Sequence, residues 1–176
     1  MITPIYDDNS AISALIGKEG YRYSDRPEDA GGPTKYGITL RTLSIYRGGT
    51  VTPEDVKNLS VEEAKAIYKK FFWDKYKLGE FKLSTAYFLF DCFVQHGEIP
   101  IKWLQKIVDT KQDGIIGPLT IAAVNKLSPL HVILPLAVKR NFYYETLKNY
   151  QVFAKGWKTR LFEVTIESTL SATSGH

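Results

Sequence analysis

A segment rich in glycine and proline, residues 17–38, interrupts a chain whose other segments carry helix signals. Its helix-breaking residues are Gly17, Gly20, Pro27, Gly31, Gly32, Pro33 and Gly37. Because glycine and proline disfavour the interior of a helix, this segment cannot be one continuous helix. Two β-compatible runs inside it, residues 21–24 and 34–39, predict the arms of a small β-hairpin, with the residues between them as its turn.

Helix start and stop signals recur at short intervals on both sides of this segment. Residues 8–10 offer caps for a first helix over 11–16, which ends near Gly17. Thr39, Thr52 and Ser60 can cap three more helices, the last of them running to about residue 76. Further helices are predicted over 84–96, 99–108, 118–127, 129–150 and 153–170, the fourth of which can kink at Pro135. The chain is therefore predicted to be mostly α, with one small β-hairpin after the first helix.

Length and composition exclude several classes of protein. With 176 residues, the chain fits one domain or one domain with a small lobe. Its 44% hydrophobic and 24% charged residues are ordinary for a globular protein and exclude collagen, coiled coil and disorder. No stretch approaches the roughly 18 apolar residues of a membrane span. The first residues do not form a Sec-type signal peptide, so we expect synthesis in the cytoplasm.

Charge is distributed unevenly along the chain. The formal net charge is +4; residues 1–98 hold 13 Lys and Arg against 14 Asp and Glu, whereas residues 99–176 hold 10 against 5. A basic C-terminal half favours an anionic partner such as nucleic acid, a membrane surface or a cell wall. Taken alone, the charge favours the simpler interpretation of a surface that only keeps the protein soluble.

Common catalytic and metal-binding motifs are absent. The chain has no phosphate-binding loop, no dinucleotide-binding glycine motif and no nucleophile elbow. His96, His131 and His176 lack the spacing of metal ligands. Cys92, the single cysteine, excludes an intramolecular disulfide and fits a buried structural thiol on an apolar helix face. We therefore expect neither a metal nor a cofactor.

Glu19 stands out among the carboxylates because it falls at the end of the first predicted helix. A side chain at this point is expected to face a groove against the hairpin, where apolar surroundings would favour the protonated form that a general acid needs. The hairpin carries Asp25, Glu28 and Asp29, and the Thr34 hydroxyl can hold a water molecule. Glycosidic cleavage requires an acid on the leaving oxygen and a second group that activates water or stabilises a cation. This arrangement is lysozyme-like, although Glu19 could also be a helix-end residue that faces solvent.

Residues 18–39 resemble the N-terminal signature of glycoside hydrolase family 108, the peptidoglycan-cleaving N-acetylmuramidases of phage endolysins and bacterial relatives. The family pattern contains Glu-Gly-Gly-Tyr, Asn-Asp-Pro, Asp-Pro-Gly-Gly and Thr-x-x-Gly-Ile-Thr. The matching positions are Glu19, Asp25, Asp29, Gly31, Gly32, Thr34, Gly37, Ile38 and Thr39. The chain departs from the pattern by lacking one glycine after Glu19 and by carrying Arg26 before Pro27.

The resemblance continues into the second half of the chain. Residues 90–97 are similar to the family's Phe-Asp-x-x-Val-Asn-x-Gly, with Gln95 in place of the Asn. Residues 103–105 and 113–120 resemble the peptidoglycan-binding half that follows in this family. The resemblance implies a catalytic muramidase lobe over 1–98 and a helical peptidoglycan-binding lobe over 99–176, either as two lobes or as one compact domain.

The resemblance also implies roles for individual residues. Glu19 would be the general acid, and Asp29 or Thr34 would position the attacking water. Glu28 stands where phage-type lysozymes carry an Asp, so the choice between Glu28 and Asp29 as the second acid stays open. The residues expected to contact substrate are Asp25, Glu28, Tyr36, Gln95 and Trp73. At this density of aromatic residues, however, a side chain such as Trp73 usually belongs to the hydrophobic core.

The implied function is hydrolysis of the β-1,4 bond between N-acetylmuramic acid and N-acetylglucosamine. Peptidoglycan glycan strands would be the partner, with no nucleic acid and no membrane span, and the protein would be a monomer. It would act in the periplasm or cell wall, during phage lysis or during local opening of the wall for protein export. The alternatives are an adaptor that binds the wall without catalysis and a nucleic-acid binder suggested by the basic half.

Overall fold

The structure, a computed structural model, describes residues 5–25 and 32–173. The helices in this part of the chain are α1 (Asp8–Glu19), α2 (Leu40–Arg47), α3 (Pro53–Lys57), α4 (Val61–Tyr68), α5 (Leu83–His96), α6 (Ile99–Ile107), α7 (Pro118–Lys126), α8 (Pro129–Glu145) and α9 (Tyr150–Thr173). Strands β1 (Thr34–Lys35) and β2 (Ile38–Thr39) form a small antiparallel sheet. The predicted class, a mostly helical lysozyme-like fold with one small hairpin after the first helix, is confirmed.

Helix starts follow the capping signals in the sequence. Thr39, Thr52 and Ser60 each accept a hydrogen bond from a backbone N–H in the first turn of α2, α3 and α4. The cap of α1 is Asp7, one residue earlier than expected, and it forms a reciprocal capping box with Ser10. Helix α1 also continues through Gly17 and ends at Glu19, so the candidate acid is its last residue.

The hairpin is smaller than predicted and lies entirely in the second of the two expected arms. Strands β1 and β2 are joined by Tyr36 and Gly37, whose φ angles of 54° and 75° are both positive, as a type I′ turn requires. Of the first expected arm, only Ser24 pairs, through an isolated bridge to Thr34. The expected turn over residues 26–31 lies outside the described residues.

Helix α5 is the centre of the core. Every residue from 84 to 93 in it is buried, which is unusual for a helix because the opposite face normally meets solvent. Helices α1, α6, α8 and α9 pack around it. A π-helical turn, Lys69–Asp74, follows α4 directly and places Trp73 against this core. Helix α8 continues through Pro135 and ends at Glu145, five residues before the predicted end.

The C-terminal helix packs against the N-terminal half of the chain. Helix α9 contacts α5 as well as α8. Lys18 of α1 forms ion pairs with Glu163 and Glu167 of α9, at 3.4 and 3.0 Å. The Tyr87 hydroxyl of α5 donates a 2.7 Å hydrogen bond to Glu167. The two predicted lobes therefore share an interface that contains buried charge.

Among the described residues, no single helix is both long and apolar enough to cross a membrane. Helices α7 and α8, bent by 109° at their junction, meet the length and composition only when they are taken together.

Candidate active site

Glu19 lies where the end of α1 meets the β-hairpin. Its side chain is 18% exposed, so it is largely enclosed but still reaches solvent. The hairpin approaches it closely at Gly37: a Cβ atom there would stand 3.0 Å from both Cβ and Cγ of Glu19. A residue without a side chain is therefore needed at the hairpin tip to let the backbone pack on the glutamate.

Two donors hold one oxygen of the Glu19 carboxyl. Gln95 Nε2 in α5 donates to Glu19 Oε1 at 3.0 Å, and Arg160 Nη2 in α9 donates to the same oxygen at 2.7 Å. The expected apolar surroundings of Glu19 were therefore wrong. The carboxyl faces a neutral amide and a guanidinium, and the guanidinium makes a charge-assisted hydrogen bond to it.

Asp91 lies behind this pair and is fully buried. Arg160 donates to its Oδ1 from Nε and Nη2, at 2.8 and 2.7 Å, while Arg140 Nη1 of α8 donates to Oδ2 at 2.6 Å. Burial by itself would raise the pKa of Asp91, but the charges of Arg140 and Arg160 outweigh burial and hold the pKa below its usual range. Asp91 is therefore an ionised anchor for two arginines.

The buried network ends at His96 and Cys92. Arg140 Nε donates to His96 Nε2 at 3.0 Å, so this nitrogen accepts and carries no proton. Burial and the charge of Arg140 lower the pKa of His96 to about 4. Burial raises the pKa of the Cys92 thiol to about 11, which agrees with the predicted structural role.

A tyrosine next to Glu19 holds the turn of the hairpin in place. The Tyr68 hydroxyl of α4 donates to the backbone oxygen of Tyr36 at 2.9 Å. Burial, with the nearby charge of Glu19, raises the pKa of Tyr68, so the hydroxyl keeps its proton and remains a donor. The Tyr36 ring is half-buried and packs edge-on against Tyr21, with ring centres 5.9 Å apart.

The other predicted site residues have different surroundings. Thr34 donates through its hydroxyl to the Gly32 carbonyl at 3.0 Å. Asp25 is exposed and accepts from the Tyr23 hydroxyl at 3.2 Å. Glu28 and Asp29 lie outside the described residues.

Trp73 and Gln95 were both expected to contact substrate, and the structure gives each a protein partner. Trp73 is 4% exposed and packs edge-on against Phe90 in the core, with ring centres 5.5 Å apart. It therefore presents no open face on which a sugar could stack. Gln95 lies in the site but directs its amide to Glu19.

Three members of the network were not found from the sequence: Arg160, Arg140 and Tyr68. The sequence around Asp91 did carry a signal, because an acidic residue within an apolar helical run destabilises the fold unless it pairs with a cation. Nothing local marks Arg160, which is 141 positions from Glu19. Within the described residues, no group of three or more His, Cys, Asp and Glu side chains is placed to hold a metal ion.

The loop before α7 is organised around Gln105. Gln105 Nε2 donates to Asp113 Oδ1 at 2.8 Å, and its Oε1 accepts from the Gly114 backbone N–H at 2.9 Å. Asp113 also accepts from the Ile115 backbone N–H, as a turn residue does. Beside this loop is a surface cavity of about 440 Å³, lined by residues between 109 and 120.

Comparison with known proteins matches both halves of the chain. The family model described as glycosyl hydrolase 108 matches residues 12–97, and the model described as a predicted peptidoglycan domain matches residues 99–162. The solved structure of SagA from Brucella abortus is similar, with a TM-score of 0.84 and 32% sequence identity, over 94% of this chain and 95% of that one. No curated protein sequence matches the chain significantly.

Proposed function

Because this chain belongs to the glycosyl hydrolase 108 family, we propose that it is an N-acetylmuramidase. Its two matched segments, a glycosyl hydrolase and a peptidoglycan domain, indicate a peptidoglycan hydrolase. The proposed reaction is hydrolysis of the β-1,4 bond that joins C1 of N-acetylmuramic acid to O4 of N-acetylglucosamine. The observation that carries this proposal is the position of Glu19 at the helix end, packed against the hairpin and still open to solvent.

Glu19 is proposed as the general acid. Among the described residues, both hydrogen bonds to its carboxyl go to Oε1, which leaves Oε2 to carry the proton. That proton passes to the bridging O4 while the bond to C1 breaks. A water molecule supplies the oxygen that bonds to C1, and the proton that this water loses passes to a carboxylate of the hairpin segment.

A hairpin group is proposed to position the attacking water. Asp29 or Glu28 supplies a carboxylate, and Thr34 supplies a hydroxyl. The Thr34 hydroxyl donates its hydrogen bond to the Gly32 carbonyl, so its oxygen can still accept a hydrogen bond from that water. Asp25 and Tyr36, which both follow Glu19 in the sequence, are proposed to contact the sugar.

The C-terminal half, residues 99–176, is proposed to bind peptidoglycan. Lys102, Lys106 and Lys111 are exposed around the loop that Gln105 organises, and they contribute to the excess of positive charge in residues 99–176. Peptidoglycan carries free carboxylates on its peptides, so the charges are complementary. We propose that the protein acts in the periplasm or cell wall, in phage lysis or in local opening of the wall for protein export.

The test is digestion of purified sacculi followed by mass spectrometry of the released fragments. We expect N-acetylmuramic acid at the new reducing ends. We expect Glu19→Gln to lose hydrolysis by about 10²–10⁴-fold, because it keeps the side-chain volume but removes the transferable proton. Glu98→Gln, on an exposed glutamate paired with Lys75, is the matched control and should keep full activity.

Two outcomes would contradict the proposal. N-acetylglucosamine at the new reducing ends would place the cleavage at the other glycosidic bond. Binding to sacculi without release of any fragment would instead support the non-catalytic adaptor.

A further inference from the structure

Arg160, the cation on Glu19, comes from the half of the chain that the hydrolase model does not cover. The glycosyl hydrolase match ends at residue 97, whereas Arg160 lies in α9, within the predicted peptidoglycan domain over 99–162. Arg160 nevertheless donates to Glu19 Oε1 at 2.7 Å. A helix assigned to wall binding therefore reaches the candidate catalytic carboxyl.

The guanidinium of Arg160 is fixed in place from behind. Its Nε and Nη2 both donate to Asp91 Oδ1, and the same Nη2 bridges to Glu19. Asp91 has no solvent exposure, and its other oxygen is held by the equally buried Arg140. Since a planar guanidinium presents its donors in a rigid fork, this anchoring determines where its outer edge meets Glu19.

The position of the Arg160 guanidinium makes the two oxygens of the Glu19 carboxyl different. Arg160 and Gln95 both donate to Oε1, and a carboxyl oxygen that accepts two hydrogen bonds is a poor place for the proton. The proton of the neutral acid therefore sits on Oε2. Correct placement of a reacting group to within about 1 Å is worth up to 10²-fold in rate.

We propose that Arg160 is a positioning residue of the active site, which holds Oε1 of Glu19 and so leaves the proton-bearing Oε2 free to face the substrate. The inference rests on the proposed function of Glu19 and extends the active site into the C-terminal half. It follows that residues 1–98 do not contain the complete catalytic machinery.

The charged and titratable groups around Glu19 allow the effect of Arg160 to be isolated. Asp91 of α5 is neutralised by Arg140 as well as by Arg160, and Lys18 of α1 is paired with Glu163 and Glu167. From α4, the Tyr68 hydroxyl stays protonated. Arg160 is thus the cation that directly contacts Glu19 among the described residues.

The experiment compares Arg160→Gln and Arg160→Lys with the wild-type protein on soluble peptidoglycan fragments. We expect Arg160→Gln to lower kcat by about 10–100-fold, with KM within about threefold. A residue that only supports the fold would leave kcat per folded molecule unchanged, so the split between kcat and KM separates the two roles.

Arg160→Lys separates charge from geometry. A lysine keeps the positive charge but lacks the planar fork that reaches Asp91 and Glu19 together. We expect kcat of this variant to remain reduced although the positive charge is kept. Arg47→Gln is the matched control, because Arg47 also pairs with two carboxylates, Asp55 of α3 and Glu63 of α4, which lie outside the Glu19 network. It should leave kcat unchanged.

Melting temperatures and cosedimentation with sacculi show whether each variant is folded and still binds. If Arg160→Gln is unfolded at the assay temperature, Arg160→Lys decides, and wild-type kcat in that folded variant overturns the inference. Wild-type kcat in folded Arg160→Gln overturns it as well. A wild-type protein that releases no reducing ends would reject the proposed function itself, which is a distinct result.

Discussion

Replacing Gly37 with alanine tests the close approach of the hairpin to the active site. The added methyl group would lie 2.5 Å from the Tyr68 hydroxyl oxygen and 3.0 Å from Cβ and Cγ of Glu19. The first distance is too short for any contact between atoms that are not bonded. The second requires Glu19 to shift by a few tenths of an ångström or more.

The loss of stability has two sources in the structure. Gly37 has a φ of 75°, a conformation that destabilises an L residue by about 1–2 kcal/mol. Tyr68 is 2% exposed, so displacement of its hydroxyl from the Tyr36 carbonyl leaves a buried donor unpaired, at about 1–3 kcal/mol. For a chain of this length, each kcal/mol lowers Tm by about 2–4 °C, so Gly37→Ala should lower Tm by roughly 5–15 °C.

Gly48→Ala is the matched control. Gly48 has a φ of 74°, but an added Cβ there meets no atom within 4 Å. It should lose only the conformational part of the stability, roughly 2–8 °C in Tm, and keep full activity. Gly37→Ala should in addition lose activity by about 10–100-fold, because Glu19 is displaced.

Differential scanning calorimetry and release of reducing ends from sacculi, below the lower Tm, measure both effects. Equal losses of stability in the two variants, with full activity in Gly37→Ala, would refute the reasoning. That result would mean that the hairpin relaxes away from Tyr68 and Glu19 without consequence.

Two further predictions concern charge. Replacing Lys102, Lys106 and Lys111 with glutamate should weaken cosedimentation with sacculi by about tenfold or more at low salt, and by less at high salt. Turnover of short soluble fragments should change little. Unchanged pelleting at low salt would show that these lysines are not part of the binding surface. The fold lowers the pKa of His96 to about 4, against about 6.5 in the unfolded chain. As pH falls, the unfolded chain therefore takes up a proton first. The stability contributed by neutral His96 is complete above about pH 6.5 and is lost as pH falls toward 4. His96→Gln should therefore show a smaller fall in Tm between about pH 7 and pH 4.5 than the wild type, whereas His131→Gln, on an exposed ring, should fall like the wild type.

Local features of the sequence determined most of the elements and the place of the catalytic candidate. Capping residues such as Thr39, Thr52 and Ser60 act on backbone N–H groups three positions away, so these three helix starts could be predicted without knowledge of the fold. The failures were also local. Helix α1 passes through Gly17, since a single glycine costs only about 1 kcal/mol in a helix, and the hairpin turn formed at Tyr36 and Gly37 within the second predicted arm.

The chemistry around Glu19 was decided by tertiary packing. The sequence placed Glu19 at a helix end and Asp91 in an apolar run, and an acidic residue in such a run requires a cation. It did not specify which of the 23 Lys and Arg residues would supply that cation. Arg160 meets Glu19 across 141 positions only because α9 packs on α5, and the affinity of a guanidinium for a carboxylate is the same whichever arginine the fold brings near.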